Sequence, residues 1–369
     1  MRLLVQPGDG VGPLIKAIEK AKKSVQIVIF RFDRVEIEKA LEDAVKRGVS
    51  VDALIAFTNR GGEKNLRKLE MRFLERGVTV ARTADDLVRY HGKMMIVDGK
   101  ELHLLAFNFT QIDTERSRSF GIMTKDKELV EEAVRFFDCD FKRRRYKPGS
   151  SRFLVSPLNA REELVRFIEG AKKELLIYDV KITDREMIKL LEARAKEGVE
   201  IRVIGKMARR SSQISVRKLP DLRLHTRTFV RDRKEAFLGS QSLRELELDS
   251  RRELGIIFRD ADVIAKILGV FEDDWKSGVV AVGDEADDVE KPPLAKVAKK
   301  VAKTVTKELP PVAPVVQEVV KEVMQADNGL PIDHDEIEET VKIAVKQAVK
   351  QAVRDVVEEV VEQQREPEP

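Results

Sequence analysis

Hydrophobic residues recur at helical spacing between short apolar runs along residues 1–280. Residues 12–23 place apolar side chains on one helix face, and the run VQIVIF that follows is predicted as a buried strand. A second helical pattern covers residues 35–47 and ends at Gly48, ahead of the apolar run VSVDALIAF. MMIVDG and LHLLAFNF are predicted as further strands. This alternation predicts an α/β fold in which helices flank a mostly parallel sheet.

The same order of segments occurs twice in the chain. Val5-Gln6-Pro7 recurs as Val155-Ser156-Pro157, and AKKSVQIVIF from Ala21 recurs at the same offset as AKKELLIYDV from Ala171. Later in each copy, equivalent residues are separated by fewer positions, because the second copy lacks a segment that the first copy has. An offset that stays constant over many positions indicates internal duplication. We therefore predict two tandem repeats, residues 1–149 and 150–280, packed as a pseudo-dimer.

Residues 281–369 follow a different pattern from the two repeats. The segment begins with the acidic linker GDEADDVEKPP, and valines then recur every four positions, for example Val341, Val345 and Val349. This pattern predicts amphipathic helices, which the prolines divide by stiff linkers. We expect these helices to pack with helices of the same or another chain. The lysine-rich face of LAKVAKKVAKTVTK would also suit an anionic membrane surface.

Charge is distributed unevenly between these parts. The chain has 69 Lys and Arg and 65 Asp and Glu; residues 281–369 hold 12 and 20 of them, which leaves 57 and 45 for residues 1–280. A basic body suits an anionic partner such as nucleic acid, a lipid headgroup or a phosphorylated small molecule, or is a solvated surface. The single cysteine fits a reducing compartment. No apolar run approaches the ~20 residues of a membrane span, so we expect a cytoplasmic protein, at most peripheral at a membrane.

A motif that can carry chemistry occurs once in each repeat. The segment HGKMMIVD at positions 91–98 recurs as HTRTFVRD at 225–232. On a strand, a histidine and a cation two residues apart point to the same face. Two such halves make one phosphodiesterase site, in which one imidazole attacks phosphorus and the other protonates the leaving alkoxide. The cations neutralise the phosphate oxygens, and no cluster has metal-ligand spacing, so the residues favour a metal-free reaction.

The repeated motif, with Gly-Ser-x-Asn-like and Asn-Arg-Glu-Leu-Gly-like elements after it, resembles the phospholipase D superfamily. That family includes phospholipases D, cardiolipin synthases, bacterial nucleases and phosphodiesterases that act on DNA ends. The resemblance covers the chain from its first residue to about position 280. It implies that His91 is the nucleophile that forms a phosphohistidine, that His225 is the general acid, and that Lys93 and Arg227 hold the phosphate. It implies no cofactor.

The elements after each histidine motif depart from the family pattern. In the first repeat the Gly-Ser-x-Asn element reads LAFN and keeps only Asn108; in the second it reads GSQS, with Ser240 kept and Ser242 where Asn is usual. These three residues are the predicted contacts to substrate phosphate. Asp98 and Asp232, which close the histidine motifs, are interpreted as structural anchors for backbone or a neighbouring cation.

The acidic element has survived in only one repeat. It reads RRELG in the second repeat and keeps Glu253, whereas RSFG in the first repeat has Ser119 in the glutamate position. The resemblance implies that the acid of one half orients the histidine of the other. Glu253 would then support His91, and His225 would have a weaker partner. Arg227 keeps the positive charge of the usual lysine but changes its shape.

Three functions are compatible with these residues. The first is a phospholipid enzyme, either a phospholipase D or a cardiolipin synthase-like phosphatidyltransferase, in which water or an alcohol resolves the phosphohistidine. The second is a nuclease or nucleic-acid end-processing phosphodiesterase, which the basic body favours but the low aromatic content of 5% disfavours. The third is a degenerate, non-catalytic anion-binding module. The basic stretch 206–234 is either a channel to the phosphate site or a solvated loop, and His103 is interpreted as an ordinary strand residue.

Overall fold

The structure is a computed structural model that describes residues 1–57, 63–84, 86–209 and 211–280, without the side chains at positions 63 and 64. The helices predicted for the acidic C-terminal segment lie outside the described residues. We call residues 1–149 the first half and residues 150–280 the second half.

Helices and strands alternate through the first half. In chain order they are β1 Arg2–Gln6, α1 Gly12–Lys20, β2 Ser24–Ile29, α2 Val35–Lys46, β3 Ser50–Ile55, α3 Glu63–Glu75, β4 Thr79–Arg82, β5 Arg89–Tyr90, β6 Met94–Val97, β7 Glu101–Leu105, α4 Gln111–Glu115, β8 Ser117–Thr124 and α5 Lys127–Phe141.

The second half repeats this order. Its elements are β9 Phe153–Val155, α6 Ala160–Glu169, β10 Glu174–Ile182, α7 Arg185–Lys196, β11 Glu200–Met207, β12 Ile214–Lys218, β13 Arg223–Leu224, β14 Arg227–Arg231, β15 Glu235–Gly239, α8 Glu245–Asp249, β16 Arg251–Arg252, β17 Leu254–Phe258, α9 Ala261–Ser277 and β18 Val279–Val280.

Each half builds one mixed sheet with the same topology. The first sheet has the order β1-β8-β7-β6-β2-β3-β4, and the second has β18-β12-β11-β10-β14-β15-β17-β9. Strands β2, β3 and β4 are parallel, as are β10, β11 and β12, and the other neighbours along each order are antiparallel. Parallel neighbours need a long crossover such as α2 or α7, whereas a short turn can join antiparallel ones, as between β6 and β7. The predicted α/β fold with two related repeats is confirmed.

One predicted helix boundary is wrong. The apolar spacing predicted a helix through position 23, but α1 ends at Lys20. The backbone amides of Lys22 and Lys23 instead donate to the carboxylate of Asp98, which lies far along the chain. This long-range contact replaces the last helical turn. Gly48 ends α2 as predicted, with φ of 82°, a left-handed conformation that glycine adopts without strain.

Apolar side chains from both halves share one buried cluster. Helix α5 contributes Phe136 and Phe137 to it, and helix α9 of the second half contributes Ile267 and Phe271. Strands of both sheets line the same cluster, for example Phe120 in β8 and Tyr178 in β10, whose rings meet edge to face with centroids 5.5 Å apart. Since this core belongs to neither half alone, burial of its apolar surface holds the two halves together.

Backbone pairing also crosses between the halves, in a reciprocal arrangement that we call the strand exchange. Strand β13 of the second half pairs with β8 of the first, and β5 of the first half pairs with β16 of the second. The pairing continues at the residues that follow: the amide of His91 donates to the carbonyl of Arg252 at 2.7 Å, and that of His225 to the carbonyl of Arg118 at 3.0 Å. The strand exchange therefore brings both histidines to the seam.

Candidate active site

The aspartates that close the two motifs bind backbone rather than the histidines. The Asp98 carboxylate accepts from the amides of three consecutive residues at 2.6–3.0 Å, and the Asp232 carboxylate does the same at 2.7–3.1 Å; these are Lys22, Lys23 and Ser24, and Lys172, Lys173 and Glu174. Burial acts to raise the pKa of each carboxyl, but the three amide donors outweigh it and hold each pKa below its ordinary value. Both aspartates thus tie a motif turn to the residues just before the central strand of their sheet.

His91 is held on both of its ring nitrogens. Its Nδ1 lies 2.8 Å from Oε2 of Glu253, and its Nε2 lies 2.8 Å from Nζ of Lys93. The Phe30 ring packs edge-on against the imidazole, with centroids 4.6 Å apart. Because an ammonium group can only donate, its bond to Nε2 places the ring proton on Nδ1, where Glu253 accepts it. This tautomer leaves the lone pair on Nε2.

Burial shifts the ionisation of the groups around His91. The pKa of His91 is well below its ordinary value, first because the ring is buried and then because the charges of Lys93 and Arg227 oppose a further positive charge. Burial likewise lowers the pKa of Lys93 to about 7. The pKa of Glu253 is raised, again by burial, although Lys93 acts in the opposite direction. A neutral imidazole is the nucleophilic form, so these shifts keep His91 in a form that can act as a nucleophile.

His225 faces the same space from the second half. Its pKa is also well below the ordinary value, first because the ring is buried and then because the positive charges of Arg227, Lys93 and Arg223 oppose its protonation. Its Nδ1 lies 3.6 Å from Oδ2 of Asp113. Both motif histidines and both motif cations therefore act on one another across the seam. The structure brings the four predicted residues together.

Arg227 is fixed by three contacts at the site. Its Nε donates to Oγ of Ser242 at 3.0 Å, its Nη1 donates to the carbonyl of His225 at 2.8 Å, and its Nη2 lies 3.8 Å from Oε2 of Glu247. A serine occupies less volume than the asparagine usual at position 242. The larger guanidinium and the smaller hydroxyl side chain are thus found in direct contact.

The other predicted phosphate contacts have protein partners. The side-chain amide of Asn108 donates to Oδ2 of Asp113 at 2.6 Å. The hydroxyl of Ser240 lies 3.1 Å from the amide of Leu254, next to Glu253, and Ser240 is fully buried. His103 lies on β7 outside this site, with its Nε2 3.0 Å from Oε1 of Glu101. Among the residues the structure describes, no group of three or more His, Cys, Asp or Glu side chains is placed to hold a metal ion.

Two buried carboxylates of the site were missed by the sequence analysis. Asp113 on α4 accepts from the backbone amide of Asn108 at 2.7 Å, and Glu247 on α8 accepts from that of Ser242 at 2.9 Å. The offset in sequence between the two acids is the same as that between His91 and His225. Applied to every acidic residue after the motifs, that offset returns this pair together with others, such as Asp126 and Asp260, so the sequence alone does not single it out.

The two short helices that carry these carboxylates also expose apolar side chains. Ile112, directly before Asp113, is 49% exposed, and Leu246, directly before Glu247, is 44% exposed. Val88 is 61% exposed, and its amide bonds to the carbonyl of Ser250 at the end of α8. Exposed apolar side chains are therefore present in both halves on elements that carry or adjoin residues of the site. No helix in the described ranges is both long and apolar enough to cross a bilayer.

Known proteins share this architecture. A family model described as "Cardiolipin synthase, PLD-like domain" matches residues 14–141 and 164–275, which together make up more than half of the chain. Among solved structures, polyphosphate kinase from Porphyromonas gingivalis is similar with a TM-score of 0.63 and 20% identity, over 74% of this chain and 50% of that one. This chain thus spans half the length of that kinase. Phosphatidylserine synthase from Haemophilus influenzae Rd KW20 is similar with a TM-score of 0.60 and 12% identity, over 83% of this chain and 93% of that one.

At these identities the two solved structures establish a shared fold, and the family model covers both copies of the histidine motif. The seam between the halves, where the two motifs meet, lies within that shared fold. The chain belongs to the phospholipase D superfamily.

Proposed function

We propose that this protein is a phosphodiesterase or phosphatidyltransferase that acts on phospholipids through a covalent phosphohistidine at His91. The observation that carries the proposal is the placement of His91. Its ring is held by Glu253 on Nδ1 and by Lys93 on Nε2, and it shares the seam with His225. A nucleophile, an orienting acid, a phosphate-binding cation and a second imidazole are the groups that this reaction requires.

In the first step, Nε2 of His91 attacks phosphorus and forms the P–N bond while the P–O bond to the leaving alcohol breaks. His225 is neutral in the free protein, takes up a proton as the anionic phosphodiester binds, and gives that proton to the leaving oxygen. Lys93 and Arg227 neutralise the non-bridging oxygens. In the free protein the Lys93 ammonium covers Nε2, and an incoming phosphate competes for that ammonium. Substrate binding therefore uncovers the nucleophile.

In the second step, an oxygen nucleophile attacks phosphorus, the P–N bond breaks and His91 is regenerated. His225, which is now neutral, takes the proton from that nucleophile. Water gives hydrolysis, and an alcohol gives transfer. Both histidines are at least nine-tenths buried, and restricted water access favours transfer to a bound alcohol.

Surface composition around the site supports a lipid substrate. Ile112, Leu246 and Val88 present apolar side chains on the elements that surround the seam, where acyl chains would lie beside a phosphate held between the halves. Nucleic-acid sites use aromatic rings as stacking platforms. In this protein all three tyrosines are buried, and the one tryptophan is stacked on Phe271. These rings are therefore not presented as a platform for nucleic-acid bases.

The second candidate is a nucleic-acid phosphodiesterase, and the excess of 57 basic over 45 acidic side chains in the range 1–280 favours it. Such an excess attracts a phosphate backbone regardless of base sequence. The same catalytic groups would serve both substrates, so the choice rests on what the surface around the seam accommodates.

The deciding experiment incubates the purified protein with vesicles that contain headgroup-labelled phosphatidylglycerol and, separately, with labelled single-stranded DNA. We expect release or transfer of the lipid headgroup, loss of this activity by a factor of at least about 10³ in His91→Ala, and no loss in the surface variant Lys189→Ala. Cleavage of DNA with inert lipid would establish the second candidate instead. Turnover of neither substrate would favour the degenerate, non-catalytic alternative.

A further inference from the structure

The general acid of the proposed reaction lacks the partner that the nucleophile has. Ser119 stands at the position in the first half that Glu253 occupies in the second, by the same offset that relates the two histidines. Ser119 is fully buried, and its hydroxyl has no hydrogen-bond partner among the described residues. Nδ1 of His225 likewise has no hydrogen bond in the described part of the chain. Because residue 119 is a serine, the His225 ring has no carboxylate at the position equivalent to Glu253.

Asp113 places a carboxylate beside this ring from a different position. Its Oδ2 is 3.6 Å from Nδ1 of His225, and the residue is 2% exposed. Both the backbone and the side-chain nitrogen of Asn108 donate to that oxygen, at 2.7 and 2.6 Å, and Arg223 donates to the other oxygen. The carboxylate is therefore held in place by groups other than the histidine.

Resting on the proposed function, we infer that Asp113 is the positioning residue for His225 and takes the role of the glutamate that is missing at position 119. The separation of 3.6 Å is longer than a hydrogen bond. Catalytic hydrogen bonds are often long before substrate binds, and they tighten in the reacting complex. When His225 takes up its proton, Nδ1–H donates to Oδ2 of Asp113, and Nε2–H points at the leaving oxygen.

In this arrangement each histidine is paired with a carboxylate from the other half. His91 receives its acid, Glu253, from the second half, and His225 receives Asp113 from the first. The equivalent carboxylate in the second half, Glu247, faces cations: it lies 3.8 Å from Arg227 and accepts from Arg251 at 3.1 Å. Glu247 is thus a matched control, because it has the same location in the repeat but its ion pairs within the described ranges are all with arginines.

The chemistry separates a positioning role from a structural one. In the first step the P–N bond forms, the P–O bond breaks, and the proton of His225 goes to the leaving oxygen. An alkoxide such as that of glycerol needs this proton, whereas p-nitrophenolate leaves without it. Loss of a positioned general acid therefore slows the glycerol ester selectively, but a misfolded site slows both esters.

The experiment measures the first-turnover rate of headgroup release from phosphatidylglycerol and from phosphatidyl-p-nitrophenol. For Asp113→Asn we expect a fall on the order of 10²-fold with the glycerol ester and less than about threefold with the p-nitrophenyl ester. Glu247→Gln should slow both esters by the same factor. Adding Ser119→Glu to Asp113→Asn should recover at least about tenfold of the glycerol reaction, since it restores an acid at the position equivalent to Glu253.

Equal losses with the two esters in Asp113→Asn would overturn the inference. A readout independent of turnover is the protonation of His225, followed by nitrogen-15 histidine NMR. Removal of the carboxylate should lower the pKa of His225 and raise its acid dissociation constant at least about threefold. If the wild type turns over neither ester while this shift is seen, the proposed function fails and the placement of Asp113 stands. An unchanged constant would refute the placement.

Discussion

Replacement of Glu253 by glutamine removes one charge from the site with almost no change in volume. The carboxylate is fully buried, and its Oε2 lies 2.8 Å from Nδ1 of His91. In the proposed reaction, His91 becomes positively charged only after it attacks phosphorus, so the carboxylate would stabilise the reacting complex more than the free protein. Two unit charges about 4 Å apart at an effective dielectric constant of about 20 attract by about 4 kcal/mol. That energy corresponds to a rate factor of about 10³.

The assay for Glu253→Gln follows the burst of p-nitrophenolate from phosphatidyl-p-nitrophenol by stopped flow. Quenching in base, where phosphohistidine is stable, measures the covalent intermediate in the same reaction. We expect both to form about 10³-fold more slowly than in the wild type. The control is Glu186→Gln, which removes a carboxylate from an exposed ion pair with Lys189. A burst within about tenfold of the wild type would mean that Glu253 does not support the attacking imidazole.

Three further outcomes follow from the structure. Asp98→Ala and Asp232→Ala each remove a carboxylate that accepts from three backbone amides. Each substitution should lower the melting temperature by about 4–8 °C in differential scanning calorimetry, while the folded protein keeps its turnover number. A large loss of turnover without destabilisation would contradict an anchoring role. Because the pKa of Lys93 is about 7, kcat/KM should fall up to about tenfold per pH unit above pH 7 as the ammonium deprotonates. The Lys93→Arg variant should move this alkaline fall in kcat/KM to higher pH. A pH profile unchanged in Lys93→Arg would exclude Lys93 as the source of the fall. Turnover should be unaffected by EDTA, since Lys93 and Arg227 supply the positive charge at the phosphate, and strong inhibition would refute this assignment.

The sequence predicted the duplication and the meeting of the two motifs because both depend on local pattern. The histidine and the cation are two residues apart on a strand, so their shared face follows from strand geometry alone. Their equivalent places in two copies of one fold then put them on opposite sides of a common seam. The fold class followed in the same way from the alternation of apolar runs and helical spacing.

Contacts between residues that are far apart in the sequence could not be predicted from the spacing of apolar and polar residues. Strands β5, β13 and β16 are two residues long and carry no periodic signal, yet they make the strand exchange. The position of Asp113, 3.6 Å from the His225 ring, was also not predicted, because it depends on how helix α4 packs against Asn108. The early end of α1 has the same origin, since it is decided by Asp98, far along the chain.

The strand exchange has a consequence for how the two copies diverged. An ancestral homodimer of identical subunits must build nucleophile and acid from one gene sequence, so every substitution alters both roles at once. Fusion removes that constraint, because under the proposed assignment each copy serves a single role and pairs with a fixed neighbour. Serine at position 119 and arginine at position 227 are changes that such a specialised pair tolerates, each on one side of the seam only.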